Sequence, residues 1–253
     1  MIKRVLSLFL KFCCLIGENN KQVKSQLYLP KTKRKYLKSE ILDYVEIYFQ
    51  KLLPVFKDIE SDADKLAYDF YENSMKQPAY NDSIDPSSIA ENALEEGIKH
   101  YSYLKLGKYS LTATWHATLY QVWEQQSRLF LFREMFRICN IQFETFCINL
   151  SEIKKKFKFH NIDIESFSCW PQIRELSLLC NVIKHGDGKA AKELRKIKPT
   201  LFKQEDGIDH MKTFKTTLLE ETLNINEMTL QNYSEAFLSF WDEIPERNYS
   251  DEL

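Results

Sequence analysis

Apolar residues recur along most of this chain at the three- and four-residue spacing of helices that bury one face. From Ser39 the stripe Ile41, Leu42, Val45, Tyr48, Phe49, Leu52 and Leu53 predicts a long helix, and Pro54 kinks it because proline donates no backbone hydrogen bond. The pattern resumes through Ala67, Phe70 and Met75 and stops at Gln77-Pro78. Residues 80–86 read as a turn, and Asp85-Pro86-Ser87-Ser88 supplies the acceptor side chain and first-turn proline of a new helix covering 89–106. The longest periodic segment runs from Ser110 to Cys147, with Trp115, Leu119, Val122, Trp123, Leu129 and Phe130 on one face and Gln121, Glu124 and Arg128 on the other. Further helices are predicted from Trp170 to His185, from there to a stop at Pro199, and from Met228 to Trp241. Residues 212–226 alternate in part (Phe214, Thr216, Leu218), as a strand does. The expectation is a mainly α fold, a helical bundle with a small β-hairpin near residues 212–226. Residues 1–37 form a basic N-terminal arm or linker, and residues 38–253 form the helical domain with a C-terminal appendage.

Composition supports this picture. Six glycines and seven prolines are too few to punctuate a many-stranded sandwich, and 44% hydrophobic residues with 17 Phe, 13 Tyr and 4 Trp exclude a disordered chain. A net charge of −1 gives no global attraction to nucleic acid, so any such binding must come from a local patch. Cys13, Cys14, Cys139, Cys147, Cys169 and Cys180 contain no CxxC pair and sit in apolar surroundings, as reduced core residues of a cytoplasmic protein do. The five histidines lack ligand spacing, so neither a metal nor another cofactor is expected. The basic start and apolar run of residues 1–17 resemble a secretory signal, but Lys11 interrupts the run and no small-residue cleavage site follows. An amphipathic helix or an extension of the reading frame is the better reading. No run of 18 apolar residues predicts a membrane span.

The chemistry concentrates in Trp170–Pro199. Wound at 100° per residue, Ile173, Leu176, Leu179, Cys180 and Ile183 form the buried stripe, and Lys184 leans toward it. Arg174, Asn181 and His185 lie within roughly 40° of one another on the opposite side. Gly186 is a natural residue to leave the helix with positive φ, and Asp187 is a candidate N-cap for the next helix. That helix carries Lys189, Lys192, Arg195 and Lys196 beside His185, where a phosphate backbone would lie; an ordinary surface helix explains the same residues equally well. His185 likewise has a structural alternative, as a partner for carbonyls at a helix end.

The run Asn181-Val-Ile-Lys184-His185-Gly-Asp-Gly188, late in a helical chain, resembles the signature helix of the HEPN superfamily (higher eukaryotes and prokaryotes nucleotide-binding domains). The family's pattern is an Arg, a polar residue that is often Asn, three more residues and His. Asn181 and His185 match it in type and spacing, while Cys180 stands at the position of the Arg. The resemblance implies a HEPN-type bundle and a metal-independent endoribonuclease, a toxin or effector of bacterial antiphage defence. In that reading His185 is the general acid or base, Asn181 orients the imidazole or the phosphate, and Lys184 or Arg174 supplies positive charge. The pair Glu124 and Arg128 would support the site from an earlier helix, a solvated salt bridge being the alternative. The resemblance also implies a homodimer through the face bearing Arg174, Asn181 and His185, RNA as the substrate, and an antitoxin or other defence-system partner. A helical module that binds RNA or protein without cleaving anything is the alternative function, since loss of the Arg removes chemistry sooner than fold. A nucleotidyl-transfer or nucleotide-binding partner subunit is a third.

Overall fold

The computed structural model describes residues 25–76, 85–204 and 206–250. Residues 1–17, the Gln77-Pro78 stop and most of the turn over 80–86 lie outside them. The described chain is mainly α. In order it forms β1 (Gln26–Tyr28), α1 (Lys31–Ile47), α2 (Ile59–Lys76), α3 (Pro86–Met135), α4 (Leu150–Phe159), α5 (Trp170–His185), α6 (Lys189–Ile197), α7 (Glu227–Glu243) and β2 (Arg247–Tyr249). None of the described helices is long and apolar enough to cross a membrane.

Local chemistry accounts for most of these boundaries. α1 starts at Lys31, eight residues before the apolar stripe, with the Arg34 amide closing the first turn on the Pro30 carbonyl at 3.0 Å. It gives way at Tyr48–Leu52 to a π-type turn and at Leu53–Phe56 to a 3₁₀ turn that carries Pro54 in its first turn, which is the predicted kink. Asp85 accepts a hydrogen bond from the Ser87 amide at 2.9 Å and caps α3. The two helices expected at 89–106 and from Ser110 are one, 50 residues long. Gly107 does not break it, since a single glycine costs a helix only about 1 kcal/mol.

The chain divides into two compact units. One comprises residues up to Ile41, Tyr120–Ile173 and the segment from Ser234; the other comprises Leu42–Leu119 and Arg174–Tyr233. The first unit is built around aromatic rings. Trp123 stacks on Phe237 at 5.1 Å between ring centres and meets Phe240 edge-on at 5.0 Å, and Phe130 packs on Phe157 and Trp241. Such pairs contribute about 0.5–1.5 kcal/mol each beyond the area they bury. The Gln126 amide donates to the Leu37 carbonyl and accepts from the Trp241 indole, and buried Glu134 is held by Lys33 at 2.8 Å. β1 and β2 pair antiparallel, Leu27 opposite Asn248, and His160 holds Ser25 beside them at 3.0 Å.

In the second unit α2 and α3 run antiparallel. Gly107 lies over the Phe56 ring, whereas a Cβ on Gly97 would come within 2.9 Å of the Ala67 Cβ. Tyr44 stacks on Trp115 at 4.4 Å, and the Tyr48 and Thr112 hydroxyls are 2.7 Å apart. Leu176, Leu179, Cys180 and Ile183 of α5 are buried as predicted.

The β-hairpin expected near residues 212–226 does not form. Met211–Phe214 is a single helical turn that ends at Lys215 with φ +62, and residues 215–226 contain no strand. Threonines of this segment are hydrogen-bonding residues: Thr217 donates to the Ile183 carbonyl at 2.6 Å and Thr222 to the Thr216 carbonyl at 3.1 Å. Hydroxyls that bond to nearby carbonyls stabilise turns in place of a ladder. Among the described residues the strands are β1 and β2.

Candidate functional site

The end of α5 is positioned by a close crossing. Gly186 has φ +69, its amide bonds to the Val182 carbonyl at 2.8 Å, and its Cβ position lies 2.2 Å from the Lys215 carbonyl oxygen. Only glycine meets both conditions. The Asp187 amide donates to the same carbonyl at 3.1 Å, so the segment after Phe214 clamps the turn between α5 and α6.

Asp187 is not the N-cap of α6; Gly188 occupies that position without a side-chain bond. The Asp187 carboxylate instead accepts from Arg195 at 2.6 Å and from Lys215 at 3.1 Å. Burial pushes its pKa up, and the two cations outweigh that and hold it below the usual carboxylate value. Arg195 also grips Asp209, 2.7 Å from Nε, and lies over the Phe202 ring at 4.5 Å. Three of its N–H donors and one face of its guanidinium are thus engaged within the protein. Asp209 and Lys215, which complete this network, carry no signal in the sequence, because they stand 14 and 20 positions beyond Arg195.

The other cations behave differently. Arg174, Lys184 and His185 are exposed, as are Lys189, Lys192 and Lys196 on α6, and none of the six side chains takes a hydrogen bond or ion pair among the described residues. Lys184 therefore does not lean into the buried stripe. Asn181, one turn before His185, is exposed and donates its amide to the Ser177 carbonyl at 2.9 Å. Cys180 is 2% exposed, with its thiol 3.8 Å from the Ala117 carbonyl. Arg174 stands roughly 16 Å from His185 along the helix axis, so the two do not share one phosphate within a chain.

Glu124 and Arg128 fall in the aromatic unit, and Arg174–His185 fall in the other. Arg128 donates to the Phe146 carbonyl at 2.7 Å and to that of Phe143, and its guanidinium lies 4.2 Å from the Phe143 ring centre. Glu124 accepts from the Tyr120 hydroxyl at 3.2 Å. Arg128 thus ties the loop after α3 to that helix.

The arrangement offers an exposed imidazole with a polar neighbour one turn away and a row of cations one helix further on. No protein-family model, curated protein or solved structure matches the chain.

Proposed function

We propose that this chain is a HEPN-like RNA-binding protein that cleaves RNA without a metal, with the α5–α6 junction as its site. The observation that carries the reading is the contrast between Arg195, bound by two carboxylates, and the exposed cations around it, Lys184, Lys189, Lys192 and Lys196, which are bound by none. Cations without protein counter-charges are what an RNA phosphate backbone neutralises. Beside them His185 takes the proton of a ribose 2′-hydroxyl. The 2′-oxygen then attacks the adjacent phosphorus, the bond to the 5′-oxygen breaks, and that oxygen takes a proton from water as it leaves. The products are a 2′,3′-cyclic phosphate and a 5′-hydroxyl. Lys184 neutralises charge on the phosphorane and Asn181 orients the imidazole.

The burial of Cys180 favours a second reading, binding without cleavage. A thiol packed against the Ala117 carbonyl gives a phosphate no charge where the family places an arginine.

Single-stranded RNA incubated with the purified chain in EDTA tests both. Cleavage to 2′,3′-cyclic ends, lost in His185→Ala while RNA is still bound, is the expected result. Salt-dependent binding with no cleavage leaves the second reading, and failure of the triple variant Lys189→Glu/Lys192→Glu/Lys196→Glu to weaken binding removes the site altogether.

A further inference from the structure

Away from α5 and α6, exposed apolar side chains collect on one flank of the α2–α3 hairpin. Leu94 and Ile98 of α3 are 61% and 57% exposed, and Tyr68 and Met75 of α2 are 64% and 48% exposed. With Gly97 turned toward Ala67, helical phase puts Leu94 and Ile98 on the same side of the hairpin as Tyr68 and Met75. The opposite flank is a groove of mixed lining, with Asp62, Asp69, Glu96 and His100 beside Leu66 and Phe70. Exposed apolar side chains gathered on a helical pair are the mark of an interaction surface.

The sequence of the flank says what covers it. Glu91, Leu94, Ile98, Tyr101 and Lys105 are spaced 3-4-3-4, the repeat of a coiled-coil seam with its opposite charges at the two ends. Glu91 takes no partner among the described residues, and Lys105 lies over the Tyr101 ring at 5.6 Å. Two copies of this stripe laid antiparallel about Ile98 place Glu91 of each opposite Lys105 of the other. Laid parallel, they would set like charges together.

We propose that a second copy of this chain packs on this flank, α3 against α3 antiparallel, with a two-fold axis passing at Ile98. The surface differs from the Arg174, Asn181 and His185 face, where two copies would bring like cations together, and it does not rest on the RNA reading.

Sedimentation of the full chain at tens of micromolar is expected to show a dimer. Glu91→Lys or Lys105→Glu alone raises the dissociation constant by about tenfold or more, since each sets like charges at both ends of the seam, and the double variant restores it. Ile98→Cys forms an oxidised cross-linked dimer absent from the wild type. Leu94→Cys does not, its two copies lying about 12 Å apart along the seam. A monomer under these conditions overturns the proposal. So does a dimer whose dissociation constant ignores both charge variants and responds to Arg174→Glu.

Discussion

Gly186 sets the geometry of the candidate site. Its positive φ and the Lys215 carbonyl 2.2 Å from its Cβ position mean that any side chain must strain the backbone and push away the segment that clamps the turn. Gly186→Ala is expected to cost on the order of 2–4 kcal/mol, read as a lower urea midpoint at unchanged slope. A midpoint within error of wild type would show that the crossing is loose. Cys180 makes the complementary point. Its side chain is packed for volume, and a guanidinium there would be buried without a counter-charge.

At the scale of elements, α6 is anchored by one side chain. Arg195 reaches Asp187 before the helix and Asp209 after it, and its plane covers Phe202, so it fixes the pitch at which Lys189, Lys192 and Lys196 face outward. Arg195→Lys keeps the charge and loses the fork, which is expected to cost about 1–3 kcal/mol in stability. Because Arg195 is not a phosphate ligand in this account, the slope of RNA affinity against salt stays as in wild type. A slope reduced by about one, with stability intact, would return Arg195 to the RNA-binding set. The expected hairpin near residues 212–226 failed at this scale too, because alternation identifies a strand only where a partner strand exists to receive its backbone. The Thr217 and Thr222 hydroxyls hold that segment to carbonyls instead.

At the scale of the whole molecule, both units carry a buried neutral histidine. Burial drives the His116 pKa from 6.5 down to about 4, an effect partly offset by the Thr112 carbonyl at 2.7 Å and the charge of Glu227. Burial also lowers His160, whose Nδ1 bonds to the Lys156 carbonyl at 2.8 Å. Above pH 6.5 neither the folded nor the unfolded chain protonates His116, and its contribution to stability is complete. Between 6.5 and about 4 the unfolded chain binds a proton that the folded chain refuses, so stability falls as pH falls, by about 3 kcal/mol over the window for His116. Urea midpoints are expected to drop between pH 7.5 and pH 5, and His116→Gln to flatten that drop. A midpoint that rises toward pH 5 would contradict the burial of both rings.

The sequence by itself determined that the chain is mainly helical and which faces of several helices are buried, since a period of 3.6 residues is local, but not where every helix begins and ends. It placed the Pro54 kink, the Asp85 cap, the stripe from Leu176 to Ile183 and the exit at Gly186, each written within a few residues of the place it acts. It also placed the exposed Asn181 and His185 one turn apart. Only the tertiary structure decided which cations remain exposed for a ligand. Arg195 and Lys196 are neighbours in a basic run, yet Asp209, 14 positions from Arg195, takes one and leaves the other. The pairing of β1 with β2 and the burial of His116 are of the same kind. In each case the contact joins positions well beyond one helical turn, from 14 residues for Arg195 and Asp209 to the full separation of β1 and β2, and no local pattern encodes a contact that chain folding alone brings within a few ångströms.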